Sequence, residues 1–306
     1  MKIDLKIKKD IPLAPLSTFH IGGEARQFID VHNSDQLVEV VRWAKKTNKP
    51  FKIFAGGSNA VFPDEVLDCL VIQILGGNIA VNMRELFADA GVELADLVAK
   101  SIELGLSGLE SLSGIPGTVG GAVVGNAGAY GLSISEIVER VEIWDGEKRR
   151  WLDNKECEFS YRESIFKKKP YLVLRVVCKF QQGDNEKLKT ISKEIIKQRQ
   201  KKYRPGLKCP GSFFKNILEK EIDEDTLSYI DNTKIVYGKI PAGFLLEQVG
   251  AKGMRVGGIE IASFHGNLFI NSGGGTAADV KKLAQILKGK VKEKFGIELE
   301  EEIRYF

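Results

Sequence analysis

The stretch "SGLESLSGIPGTVGGAVVGNAGAYG", Ser107 to Gly131, contains eight glycines in 25 residues, and no charged side chain lies between Glu110 and Glu136. Main-chain amides that approach a phosphate closely need residues without a Cβ, and consecutive amides curved into a nest can bind an anion without Lys or Arg. A second loop, "AGGSN" at 55–59, is also free of charge and follows a predicted strand. Two such loops favour a bound dinucleotide over tight turns alone.

Two common nucleotide-binding patterns are missing from the sequence. It has no G-x-x-x-x-G-K-[ST] loop, and no G-x-G-x-x-G opens a helix directly after a first strand. These patterns mark the mononucleotide P-loop and the Rossmann dinucleotide fold. The dinucleotide is therefore expected in another binding mode.

The overall composition points to a small-molecule partner. The 306 residues include 45 basic and 41 acidic side chains, a net charge of +4 that is too small for a nucleic-acid surface. The four cysteines form no Cys-x-x-Cys pair, the three histidines show no metal-ligand spacing, and no apolar run is long enough to span a membrane. We expect a cytoplasmic monomer with no metal, no membrane contact and no nucleic-acid partner.

The sequence of the N-terminal half predicts alternating helices and strands. "NSDQLVEVVRWAKKTNKP" predicts an amphipathic helix capped by Ser34, and the strands "FKIF" and "CLVIQIL" follow it. "VELADLVAKSIELG" predicts a second helix that ends at Gly105. Around Asp145-Gly146 the sequence predicts a tight hairpin, followed by the strand "YLVLRVVCKF".

A polar linker near residues 181–188 predicts a domain boundary. We assign 1–182 to a first domain and 188–306 to a second, which opens with a helix that places Ile191, Ile195 and Ile196 on its inner face. A second long helix, "TAADVKKLAQILKGKVKEKFG", has its apolar residues at helical spacing before Gly296. The predicted class is α+β.

Seven motifs in order resemble one family. They are "STFHIGGEA", "AGGSN", "GLESLSGIPGTVGGAVVGNAGAYG", "YRESIF", "PGSFFKN", "PAGFLLEQVGAKG" and "LEEEIR". The chain resembles UDP-N-acetylenolpyruvoylglucosamine reductase, also called UDP-N-acetylmuramate dehydrogenase, in its shorter subclass. The resemblance implies an N-terminal FAD-binding domain of the vanillyl-alcohol oxidase type and a C-terminal α/β substrate-binding domain.

The resemblance also implies a reaction and a cofactor. NADPH reduces a noncovalently bound FAD, and a hydride then passes to the enolpyruvyl group of UDP-N-acetylglucosamine enolpyruvate, giving UDP-N-acetylmuramate for peptidoglycan. Both glycine loops would hold the FAD. The implied cofactor-binding residues are Gly56, Gly57, Ser58, Asn59, Ser113, Gly114, Ile115, Pro116, Gly117, Thr118, Gly120, Gly121, Asn126, Ala127 and Gly128.

By the same resemblance, Ser212 donates a proton to the substrate carbon, and Arg162 with Glu302 polarises the enolpyruvyl carboxylate. A guanidinium suits this task because negative charge develops on the carboxylate during hydride addition. A serine can act as an acid here because the enediolate that accepts its proton is strongly basic. The implied substrate-binding residues are Tyr161, Asn216, Gln248 and Arg304.

The chain departs from the family pattern at two places. Ala55 stands where the family often has a third glycine, and Tyr203-Arg204-Pro205 stands where it has a Lys-x-Pro element. The resemblance therefore does not say which residue takes the place of that lysine. Lys215, Lys252 and Arg255 are cations that could meet an anionic substrate.

Two other functions remain open from the residues alone. The chain could be another FAD-dependent alcohol or hydroxy-acid oxidase or dehydrogenase on the same kind of FAD domain. It could also be a non-enzymatic nucleotide-binding module that kept the glycine loops. The presence of Arg162, Ser212 and Glu302 together argues against the second alternative.

Overall fold

The structure is a computed structural model that describes residues 5–228 and 230–306. It contains two compact units. Of the described residues, the first unit consists of 5–11, 25–56 and 68–201, and the second of 12–24, 57–67, 202–228 and 230–306. Segments 12–24 and 57–67 thus pack with the C-terminal part of the chain, although they lie early in the sequence. The assignment of separate binding roles to 1–182 and 188–306 stays a prediction.

The strands and helices are numbered in chain order. The strands are β1 Lys8–Pro12, β2 Glu24–Val31, β3 Phe51–Phe54, β4 Ala60–Val61, β5 Leu67–Ile74, β6 Ile79–Asn82, β7 Glu85–Asp89, β8 Leu106–Ser107, β9 Gly128–Ala129, β10 Leu132–Ser133, β11 Val138–Trp144, β12 Arg149–Asp153, β13 Leu172–Lys179, β14 Gln181–Gln182, β15 Ile217–Leu218, β16 Lys239–Ile240, β17 Arg255–Val256, β18 Ile259–Ile261, β19 Phe269–Asn271 and β20 Arg304–Tyr305. The α-helices are α1 Ser34–Lys46, α2 Leu94–Glu103, α3 Val119–Val124, α4 Ile165–Lys168, α5 Asn185–Lys202, α6 Glu224–Ser228, α7 Ala242–Gln248 and α8 Ala277–Phe295.

The first unit has two main sheets. One has the strand order β1–β2–β5–β3, in which β3 runs parallel to β5, and the other is antiparallel in the order β12–β11–β13–β7–β6. The predicted hairpin is confirmed, because β11 and β12 pair across a turn in which Asp145 Oδ1 accepts hydrogen bonds from the amides of Glu147 and Lys148. Gly146 has φ +108° and supplies the backbone angle that the turn requires.

The predicted helix α1 is confirmed, but its cap was wrong. Asn33 is the N-cap, and its side chain accepts a hydrogen bond from Gln36 N. Ser34 is already helical and buried, and its hydroxyl donates to the carbonyl of Leu174 at 2.9 Å. Asn and Ser are both favoured at the N-cap of a helix, so the sequence alone could not decide between Asn33 and Ser34.

The inner face predicted for α5 was also partly wrong. Ile195 is buried as expected, but the side chains of Ile191 and Ile196 are 40% and 36% exposed. Leu188 is the other buried residue of this helix. Only one narrow stripe of α5 is therefore covered, which fits a helix that is otherwise polar.

The second unit is built around α8 and the sheet β17–β18–β19. Helix α8 ends just before Gly296 (φ +70°), as predicted, and is capped at its start by Thr276, whose side chain accepts a hydrogen bond from Asp279 N. The carboxylate of Asp64 accepts from the first helical amides, Ala277 N and Ala278 N, which ties segment 57–67 to this unit. Among the residues that the structure describes, no helix is long and apolar enough to cross a membrane.

Candidate active site

The long glycine loop of the first unit leads directly into α3. Thr118 caps this helix, and its hydroxyl oxygen accepts a hydrogen bond from Gly121 N at 3.2 Å. Gly114 and Gly117 have φ values of +73° and +110°, which side chains with a Cβ rarely adopt. The loop therefore needs glycine at these two positions for its own path.

Other glycines of the two loops, Gly56, Gly120 and Gly121, differ in how much space a Cβ would have. A Cβ on Gly56 would lie 3.2 Å from Gly117 Cα, so the ends of the two glycine loops approach closely within the first unit. A Cβ on Gly120 would lie 2.8 Å from that of Ala90, whereas one on Gly121 would meet only Thr118 Oγ1 at 3.5 Å. Gly121 is exposed, so its missing side chain leaves accessible main chain in a charge-free loop. Such a surface fits a dinucleotide diphosphate held by backbone amides, as FAD requires.

The short glycine loop continues into the second unit at Gly57. This residue has φ +62°, and a Cβ there would lie 2.2 Å from the carbonyl oxygen of Leu16. Asn59 Nδ2 donates to the carbonyl of Glu302 at 3.0 Å, and Arg304 N donates to the carbonyl of Asn59 at 3.0 Å. Gly57 and Asn59 thus have structural tasks of their own, and their contact with FAD stays a prediction.

Arg162 is held against the long glycine loop within the first unit. Its guanidinium donates to the carbonyl of Gly128 at 2.8 Å and to that of Asn126 at 3.5 Å. The guanidinium also lies 5.4 Å from the ring centre of Tyr161. Asn126 is buried, and its side chain donates to the carbonyl of Ser160 at 2.7 Å. Hydrogen bonds therefore connect the turn and the loop in both directions, one donated by the Arg162 side chain and one donated by the Asn126 side chain.

Arg162 itself has φ +57°, in the left-handed region. A non-glycine residue in this region is uncommon and carries a local conformational cost. The side-chain contacts with the loop, together with a hydrogen bond from Lys167 Nζ to the Arg162 carbonyl, compensate for that cost. The position of the guanidinium is consequently set by a turn that is held in place by hydrogen bonds.

Ser212 and Glu302 are brought together in the second unit. Glu302 N donates to the carbonyl of Phe213, the residue after Ser212, at 2.8 Å. Phe213 and Phe214 are fully buried, and the ring of Phe213 stacks on that of Phe269 at 3.7 Å. Two predicted catalytic residues, 90 positions apart in the sequence, therefore lie on neighbouring backbone segments with a rigid aromatic support.

The hydroxyl of Ser212 has two side-chain neighbours that the sequence did not reveal. Lys202 Nζ donates to Ser212 Oγ at 3.1 Å, and Tyr203 OH lies 3.0 Å from the same oxygen. Lys202 also influences His265: burial first, and the Lys202 charge second, lower the pKa of that imidazole to about 4. His265 is therefore neutral at neutral pH.

The predicted substrate-binding residues of the second unit occupy separate elements. Asn216 Oδ1 accepts from Ala242 N at 3.2 Å, Gln248 is exposed at the end of α7, and Arg304 is exposed in β20. Their contacts with substrate stay predictions.

Two of the three candidate cations are paired within the chain. Lys215 is buried and pairs with Glu300, and Lys252 pairs with Glu247 at 2.6 Å. Arg255 Nε donates to the carbonyl of Gly257. In the described ranges, no group of three His, Cys, Asp or Glu side chains could hold a metal ion.

Two family profiles match the chain. Residues 201–306 match the profile described as UDP-N-acetylenolpyruvoylglucosamine reductase, C-terminal domain, and residues 25–149 match an FAD-binding domain. The predicted α+β chain, with an N-terminal FAD-binding domain and a distinct C-terminal domain, is confirmed by these matches.

Relatives and a solved structure match over 94% or more of the chain. The UDP-N-acetylenolpyruvoylglucosamine reductase of Solibacter usitatus is 40% identical and covers 99% of this chain and 97% of its own length. The reductase of Thermotoga maritima is 34% identical and covers 94% of both chains. The crystal structure of the reductase from Thermus caldophilus superposes with a TM-score of 0.77 at 29% identity, covering 99% of each chain.

Proposed function

Since the chain belongs to the UDP-N-acetylenolpyruvoylglucosamine reductase family of FAD-dependent oxidoreductases in peptidoglycan synthesis, we propose that NADPH is its hydride donor and that Arg162, Ser212 and Glu302 carry the chemistry. FAD, held by the two glycine loops, would supply hydride transfer between NADPH and the enolpyruvyl double bond. Ser212 Oγ gives a proton to the neighbouring carbon. Arg162 and Glu302 act on the enolpyruvyl carboxylate, where negative charge develops during the reaction.

The observation that carries these roles is the pairing of the Ser212 and Glu302 segments. The main-chain hydrogen bond from Glu302 N to the carbonyl of Phe213, the residue after Ser212, joins the two backbone segments beside the buried Phe213 of the second unit. Preorganised groups of this kind stabilise a transition state without reorganising during the reaction. The Arg162 guanidinium is held against the glycine loop by its hydrogen bond to the Gly128 carbonyl, and its planar fork suits a carboxylate, which can accept two parallel hydrogen bonds.

FAD and the UDP-sugar are assigned to different parts of the chain. Residues 1–182 hold FAD through the two glycine loops, and residues 188–306 bind the UDP-sugar with Asn216, Gln248 and Arg304, joined by Tyr161 from the first part. The open main chain at Gly121 supports the FAD site. The protein acts in the cytoplasm as a monomer that binds neither nucleic acid, membrane nor metal, and the net charge of +4 is consistent with a small-molecule partner.

Stopped-flow absorbance tests this function. The purified protein should be yellow, with about one FAD per chain that denaturation releases. NADPH should bleach the flavin, and UDP-N-acetylglucosamine enolpyruvate, added anaerobically, should restore its colour. Reduction by NADH at the same rate would contradict the choice of NADPH. A reduced flavin that the enolpyruvyl substrate leaves unchanged would contradict the assigned site.

A further inference from the structure

The contacts of Ser212 assign a role to the last residue of α5 and to the residue that follows it. We propose that Lys202 and Tyr203 are positioning residues for proton transfer: together they orient the Ser212 hydroxyl, and Lys202 stabilises the alkoxide that remains after the proton has left. The proposal rests on the proposed function, because it assumes that Ser212 donates the proton.

Counting donors and lone pairs explains the orientation. A serine hydroxyl has one proton and two lone pairs, and a lysine ammonium can only donate. Lys202 Nζ, at 3.1 Å, uses one lone pair of Ser212 Oγ, and Tyr203 OH, at 3.0 Å, uses the other when it donates. The Ser212 proton is then left for a third partner, which is the substrate carbon.

The two positioning residues are themselves restrained. Lys202 Nζ lies 5.0 Å from the ring centre of Tyr203, within the range of a cation–π contact. The other partner, Ser212, follows Gly211 (φ +92°) and precedes the buried Phe213. All three side chains therefore belong to one local arrangement within the second unit.

Lys202 brings a positive charge to the Ser212 hydroxyl. The titratable neighbours that respond to its charge are His265 and Cys209. The His265 pKa of about 4 and the burial that raises the pKa of Cys209 leave both groups neutral at neutral pH. Around His265, Glu247 and Lys252 offset one another as an ion pair. The Lys202 ammonium is thus available to oppose negative charge on Ser212 Oγ.

The proton balance of the step is simple. The Oγ–H bond of Ser212 breaks as a C–H bond forms on the substrate carbon, and the electron pair stays on Oγ. A Lys202 Nζ–H bond then breaks while the Oγ–H bond forms again. Lys202 is half-buried, so its amine can recover a proton from water. No oxidant or reductant beyond the established reaction is needed.

A thiol at position 212 measures the Lys202 charge without turnover. In the FAD-loaded Ser212→Cys protein, the rate of iodoacetamide alkylation at position 212, located by mass spectrometry across a pH series, reports the thiol pKa. A nearby cation lowers a thiol pKa, so Lys202→Met in this background should raise the value by about one unit. The control Lys201→Met removes an exposed charge from the adjacent position and should leave the pKa unchanged. Equal values with and without Lys202 would overturn the proposal.

Half-reaction kinetics test the positioning role directly. Lys202→Met should slow flavin reoxidation by the enolpyruvyl substrate about 10- to 100-fold, as expected for loss of a hydrogen bond to a charged group, and leave reduction by NADPH unchanged. Tyr203→Phe should slow the same step by a smaller factor, whereas Tyr237→Phe, at an exposed tyrosine, should have no effect.

Double variants separate positioning from direct substrate binding. If Lys202 acts through Ser212, Lys202→Met should add almost nothing in the Ser212→Ala background, and the Kd for UDP should not change. An additional slowing in that background, or a weaker Kd for UDP, would overturn the proposal in favour of a diphosphate contact. If Ser212→Ala alone left reoxidation intact, both the proton role of Ser212 and this proposal would fail. A normal loss in Ser212→Ala with no effect of Lys202→Met would overturn this proposal alone.

Discussion

Adjacent glycines at the start of α3 offer a matched test of the FAD site. A Cβ on Gly121 would meet only Thr118 Oγ1 at 3.5 Å, an ordinary contact, and the residue is exposed, so Gly121→Val should change the free energy of unfolding of the FAD-free protein by less than about 1 kcal/mol. A Cβ on Gly120 would lie 2.8 Å from the Cβ and 2.9 Å from the carbonyl oxygen of Ala90. Gly120→Ala should therefore destabilise the fold by about 1–3 kcal/mol through overpacking.

The two variants should separate FAD binding from folding. Gly121→Val should purify colourless although it is folded, because its side chain occupies the surface on which the FAD diphosphate is proposed to lie. Urea unfolding should be measured on FAD-free protein, since bound FAD stabilises the folded state by mass action. Flavin content is obtained from the ratio of absorbance at the flavin and protein bands. A normal FAD content in Gly121→Val would refute the placement of FAD at this surface.

Three further outcomes are expected. Arg162→Lys keeps the charge but loses the planar fork, so flavin reoxidation by substrate should slow about 10- to 100-fold in stopped-flow traces while reduction by NADPH persists; equal slowing of both steps would contradict the role. The folded-state pKa of His265 lies near 4, below its unfolded value near 6.5, so stability should fall as pH drops from about 6.5 to about 4, and urea unfolding should show a smaller fall in His265→Gln. Asn33→Ala should cost about 1 kcal/mol of unfolding free energy, whereas retention of full stability would leave the α1 cap without energetic weight.

The elements with strong periodicity could be predicted from the sequence. Helix α8 and the β11–β12 hairpin carry local signals, an apolar stripe ended by Gly296 and an Asp145-Gly146 turn, and both form where expected. The α1 cap could not be chosen, because Asn33 and Ser34 are both good caps and the decision came from the distant Leu174 carbonyl. Local propensity fails where a tertiary contact competes for the same side chain.

The contacts of the candidate site depend on long-range folding and left little local signal. Asn59 looks like part of a glycine loop, yet its amide meets the carbonyl of Glu302, 243 positions away. Lys202 is the last residue of the polar helix α5, and its ammonium donates to Ser212 Oγ, ten positions further along the chain. No periodicity or motif encodes these contacts, because they arise from how segments of the second unit pack.

Ser212 is proposed to donate the proton after the hydride has reached the substrate. Anaerobic stopped-flow measurement of both half-reactions in Ser212→Ala tests it most directly. NADPH should bleach the flavin at a near-normal rate, while reoxidation by UDP-N-acetylglucosamine enolpyruvate should slow by about 10²- to 10⁴-fold or more. A variant in which reduction by NADPH is slow and reoxidation by the enolpyruvyl substrate is intact would contradict the claim.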